Sequence, residues 1–278
     1  MRGILALLTL LIAGPALADP PDLARTAAAY GLYQDDVRAL GSADIATPEA
    51  LDAALDRVAR HAPDALARGW IAYGAISAAQ SPAFVRGVRA RVRAASRAAV
   101  LRRLMVDDAY ARRRPAGADE AIQFALQATL TDSALMTQTG ARWQNLGDSL
   151  RALPWASAPE TDRDARTQRL RALLAPSPVA GFVLSLPAAP AAASMHPRAD
   201  RAALVDHILT LAALRIVDAA PEARVNALLG DDATTRCLNL SRLQLRQCVS
   251  VTQFAYENAY CLARHGLSGP SACFALAR

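Results

Sequence analysis

The chain has 278 residues, with 31 arginines and no lysine against 25 acidic residues, for a formal net charge of +6. Abundant alanine and leucine, 5% aromatics and almost no β-branched alternation argue against a strand-built fold and predict an all-α protein. Arginine without lysine is what a GC-rich bacterial genome produces, so the basic balance alone is no evidence of phosphate recognition.

At the N-terminus, Arg2 precedes the apolar run Ile4 to Ala13 and the small-residue stretch Gly14 to Ala18. This reads as a signal peptide over residues 1–18, too short to span a bilayer. It predicts a periplasmic or secreted protein. Ala202 to Val217 is the most apolar later stretch; Asp206, His207 and Arg215 interrupt it, so it reads as a buried core helix and not a membrane anchor.

Helices are expected at roughly 22–40, 48–61, 64–80, 82–112, 119–152, 162–175, 200–219, 222–229, 233–247 and 251–265. Thr47-Pro48-Glu49 and Ser81-Pro82 supply an N-cap and a first-turn proline for the second and fourth. Trp143, Leu146, Leu150 and Leu153 lay an apolar stripe along the fifth, while Gly140 and Gly147 make it liable to break. The proline-rich segment 176–198 excludes regular helix. Its apolar stretch 179–186 suggests a loop docked on the core, dividing an N-terminal helical region, 19–175, from a C-terminal one, 199–278.

Four cysteines in an exported chain predict two disulfides. With helices over 238–247 and 252–264, Cys237 and Cys248, or Cys248 and Cys261, stand more than about 15 Å apart along the helix axis, beyond bonding reach. A hairpin turning at 248–251 then pairs Cys237 with Cys261 and Cys248 with Cys273. The expected architecture is a multi-helix array with a C-terminal disulfide-stapled helical hairpin. His265-Gly266-Leu267 reads as the stop of its second helix.

Catalytic signatures are missing: no His-Glu-x-x-His pair, no Gly-x-Ser-x-Gly elbow, no phosphate-binding glycine loop and no dinucleotide fingerprint. Glu257, Cys261 and His265 recur every four residues, a spacing that suits a metal, but oxidation of Cys261 and capping by His265 are the simpler roles. Asp206 and His207 are the other candidate acid–base pair. No cofactor is expected. The helix after Pro82 is rich in arginine; these side chains either pair with acids such as Asp107 and Asp108 or bind an anionic envelope component through Arg86, Arg89, Arg93 and Arg97. The leading expectation is a non-enzymatic interaction or structural protein of the envelope. The alternatives are a carrier of a small apolar ligand and an envelope hydrolase.

Overall fold

The computed structural model describes residues 22–159, 195–219 and 221–277. The signal-peptide reading, the helix expected at 162–175 and the apolar stretch 179–186 fall outside them. The fold is all-α: α1 Leu23–Ser42, α2 Pro48–Ala59, α3 Pro63–Ala78, α4 Pro82–Ala95, α5 Arg97–Val106, α6 Tyr110–Arg113, α7 Ala118–Leu150 and α8 Pro154–Ser157. After the 3₁₀ turn Ala199–Arg201 come α9 Ala202–Ile216, α10 Glu222–Leu228, α11 Asp232–Val251 and α12 Ala255–Cys261, then the π-helical turn Leu262–Ser268 and α13 Gly269–Cys273. No strand occurs among the described residues.

The helix starts obey the local signals. Thr47 Oγ1 accepts from Ala50 N at 3.3 Å, and Ser81 Oγ from Phe84 N at 3.1 Å, each just ahead of a first-turn proline. Asp231 caps α11 in the same way through Thr234 N at 2.8 Å.

α3 is the central post. It packs against α1, α7, α9 and α11, and residues around its whole circumference are buried, so it is apolar on every side. The C-terminus closes this core: the Phe274 ring is fully buried, with centroids 5.2 Å from Tyr30 and 5.3 Å from Trp70. One hydrophobic cluster runs from Leu23 to Leu276.

Three local expectations are overturned. The helix expected over 82–112 breaks at Ser96, which has φ 77°; its hydroxyl accepts from Ala99 N at 3.3 Å and starts α5. No proline or glycine announces that break. α7, by contrast, is unbroken through both of its suspect glycines. They serve close approach: a Cβ at Gly147 would lie 2.8 Å from the Tyr260 ring, and one at Gly140 would lie 2.7 Å from Ser268 Oγ.

The third concerns Gly266, which does not stop the helix. The chain widens into a π turn and continues into α13, for which Pro270 is a first-turn residue. The glycine is needed for contact, since a Cβ there would come within 3.1 Å of Val58 Cγ1 on α2. Its carbonyl accepts from Tyr33 Oη at 3.0 Å, which ties the π turn to α1.

The disulfide pairing also differs. α11 runs on to Val251, so Cys248 lies in its last turns and not in the hairpin turn. Thr252 and Phe254 are extended, with ψ of 141° and 146°, and the chain reverses there. Cys248 and Cys261 lie at nearly equal distances along the chain on either side of Phe254, and so do Cys237 and Cys273. The bonds are therefore Cys237–Cys273 and Cys248–Cys261, each with Cα atoms 5.6 Å apart. The expected Cys237–Cys261 and Cys248–Cys273 links fail because the hairpin centre lies about five residues later than the turn read from the sequence. Two formed disulfides fit a protein outside the cytoplasm. No helix among the described residues is long and apolar enough to cross a membrane.

Candidate functional site

α4 and α5 pack on each other as a bent arm. Between Pro82 and Val106 the arm carries seven arginines and no acidic residue. Phe84, Gly87 and Val88 on α4 and Val100 and Leu104 on α5 are buried and anchor the arm, while most residues from Arg89 to Ala98 are exposed. Arg86, Arg89 and Arg93, at steps of three and four, project within about 60° of one another around α4.

The arm's arginines divide into two groups. Arg91 donates to the Arg114 carbonyl at 2.9 and 2.7 Å. Arg97 donates to the Val217 carbonyl at 2.9 Å and to that of Asp218, placing its cation on the negative end of α9. Arg97 is thus committed to the fold and leaves the expected anion-binding set. Arg86, Arg89 and Arg93, with Arg102 and Arg103 on α5, are exposed and make no hydrogen bond or ion pair with another described residue. Asp107 and Asp108, the expected internal partners, are taken by Arg113 and Arg224.

Arginines elsewhere are often tied to acids. Arg112 clamps Asp206 at 2.6 and 3.1 Å. Arg57, Arg60 and His61 converge on the buried Asp36, whose carboxylate lies 2.7 Å from His61 Nε2. Burial by itself would raise the Asp36 carboxyl; the hydrogen bonds from His61 and Arg60 outweigh it and hold the group below its ordinary value.

The remaining candidates resolve into architecture. Glu257 Oε2 accepts from Gln253 N at 2.6 Å and Phe254 N at 3.1 Å, so it caps the start of α12. Cys261 is oxidised and offers no thiolate. Asp206 and His207 do not form a pair: Asp206 turns to Arg112, and His207 Nε2 lies 3.5 Å from Asp108, a carboxylate held low chiefly by Arg224. His265 sits in the π turn, where burial and then the Arg264 cation lower its basicity. No cluster of three or more His, Cys, Asp or Glu side chains suited to a metal occurs among the described residues.

Sequence reading missed the meeting of His61 and His265. They line one crevice of about 30 Å³ with Arg242, walled by Val58, Leu66 and Leu245. That space is far below the ~300 Å³ that a drug-sized ligand needs, so it lends nothing to the apolar-carrier reading. It missed equally the buried Asp132, which accepts from Tyr30 Oη at 3.1 Å and whose carboxyl burial raises to about 6. No local signal joins residues a hundred positions apart. No family model, no curated protein and no solved structure matches the chain.

Proposed function

We propose that this protein is an exported, non-enzymatic helical factor, periplasmic or secreted, that holds an anionic component of a bacterial envelope on its α4–α5 arm. One observation carries the reading: five arginines stand exposed, with no described partner, on an arm with no acid, in a protein that ties many of its other arginines to carboxylates or carbonyls. Arginine presents a fork of donors that matches phosphate oxygens, and the three-residue stripe on α4 repeats that fork along one line. The target chemistry is therefore phosphate arrayed on a surface, as in acidic phospholipid headgroups or lipopolysaccharide. The hydrolase alternative gains no support from Glu257 or from Asp206 and His207, each of which is engaged in structure.

Co-sedimentation tests the reading. The protein should pellet with phosphatidylglycerol vesicles at low salt, stay in solution with pure phosphatidylcholine, and be released as salt screens the contact. At about 1 kcal/mol per arginine near such a surface, the triple variant R86Q/R89Q/R93Q should bind about a hundredfold more weakly. Lipopolysaccharide in a parallel arm separates glycolipid from phospholipid phosphate. Absence of binding to both at low salt would overturn the proposal.

A further inference from the structure

A cleft of about 190 Å³ opens where the first turn of α2, the α8 turn and the start of α12 meet. Its walls include Pro48, Leu51, Trp155 and Pro159, and its polar lining comes from Asp52 and Asn258. Local structure holds this shape firmly. Pro159 forms an isolated antiparallel bridge with Phe254, which joins the α8 turn to the root of α12. Asn258 is 2% exposed, and its side-chain amide lies 3.0 Å from Thr252 Oγ1, which holds it in place.

Trp155 is unlike the other two tryptophans. Trp70 and Trp143 are fully buried, and Trp143 donates to the Leu40 carbonyl at 3.0 Å. Trp155 is only partly buried, on a four-residue helix, with its ring part of a cleft wall. A large indole left there gives an apolar, electron-rich platform beside a carboxylate and a carboxamide. That set of groups is matched by few ligands. The C–H face of a pyranose ring is apolar and slightly positive, so it stacks on the negative face of an indole, while ring hydroxyls donate to a carboxylate and accept from an amide NH₂. Pockets that enclose drug-sized ligands span ~300–1,000 Å³, so this cleft suits one ring of a longer molecule whose remainder lies outside.

We infer that this cleft is a binding subsite for a neutral pyranose ring, with Trp155 as its stacking platform and Asp52 and Asn258 as its hydroxyl partners. The subsite is independent of the arginine arm, and either can fail without the other.

The full-length protein supplies its own probe, because Trp155 is the only one of its three tryptophans that is not fully buried. Acrylamide quenching of tryptophan emission should therefore report mainly on Trp155. Chitotriose, cellotriose and maltotriose are titrated in turn up to ~10 mM, a span that covers micromolar to millimolar affinities. At least one should reduce the quenching constant about twofold in a saturable manner. W155A should abolish that protection while its circular dichroism is unchanged. Should W155A fail to fold, W155F keeps an aromatic face and should bind within about tenfold of the parent by calorimetry; D52N should weaken binding severalfold. Lack of protection by all three sugars overturns the inference, and so does sugar binding that survives in folded W155A.

Discussion

The protein contains two helical units of opposite character, a stapled hairpin and a bent arm. The hairpin from α11 through α13 is cross-linked twice, packs on α3 and α7, and leaves little of its chemistry idle: the cysteines are bonded, Glu257 caps a helix, and Tyr260 lies on Gly147 with its hydroxyl donating to Asp148 at 2.5 Å. The α4–α5 arm has no cross-link, bends at a serine of positive φ and leaves five arginines without described partners. By sequence the stapled hairpin holds reactive residue types but reads as a staple, and its four cysteines are indeed bonded in pairs. The arm reads as solvated charge, and it carries the candidate site. Residue type did not separate them; the difference lies in whether each polar group has a structural partner.

Mutations should sharpen that contrast. The largest loss is expected where the stapled hairpin enters the core: Phe274→Ala empties the space among Tyr30, Tyr33 and Trp70 and should cost about 3–5 kcal/mol in guanidinium unfolding. Replacing Cys248 and Cys261 together by serine opens a cross-link with a sequence separation of 13 residues and should cost about 3 kcal/mol by the same measurement. R86Q/R89Q/R93Q on the bare arm should shift stability by less than ~0.5 kcal/mol. An arm variant as damaging as the hairpin variants would erase the distinction.

The pH response tests the core at α1 and α7. Burial raises the Asp132 carboxyl in the folded protein to about 6, from an ordinary value of 3.8. A raised folded value means that the native state holds this proton more tightly than the unfolded chain. Stability from Asp132 is therefore complete below pH ~4, declines as pH rises to ~6 and is flat beyond. Asp132→Asn should remove that decline and stabilise the protein at pH 7 by on the order of 2 kcal/mol, seen as a higher melting temperature. Asp36 works in the opposite sense: its folded value is depressed, so its contribution is present at neutral pH and is lost as pH falls below the ordinary carboxylate range. The smallest effect is at the elbow, where Ser96→Gly relieves the positive φ at the expense of one cap bond; the net change should be about 0.5 kcal/mol or less in either direction.

Most of the described helices and of their starts were legible in sequence because their causes are local: Thr47-Pro48 and Ser81-Pro82 cap α2 and α4 whatever the rest of the chain does. The break at Ser96 was not, since no proline or glycine marks it. The disulfide pairing was not legible, because Thr252-Gln253-Phe254 carries no turn residue and Gly266 resembles a stop, so the expected links interlock where the native ones nest. For the site, the arginine spacing was plain. That Arg97 reaches the end of α9 across 120 positions, while Arg86 and Arg89 reach no described residue, depends on tertiary placement alone. The Trp155 cleft depends on it too, because Asp52, Trp155 and Asn258 come from three distant segments.

The nesting of the two cross-links bears on how the native bonds are made. As the chain emerges, its cysteines appear in the order Cys237, Cys248, Cys261, Cys273, and an oxidant joining each new thiol to the free one before it would link the first two and the last two. The native bonds are the 13-residue inner link and the 36-residue outer link that encloses it. Neither arises from such pairing on arrival: oxidation in order of emergence would reach them only with α11 formed early enough to hold Cys237 and Cys248 apart, and otherwise the first bonds would have to be exchanged.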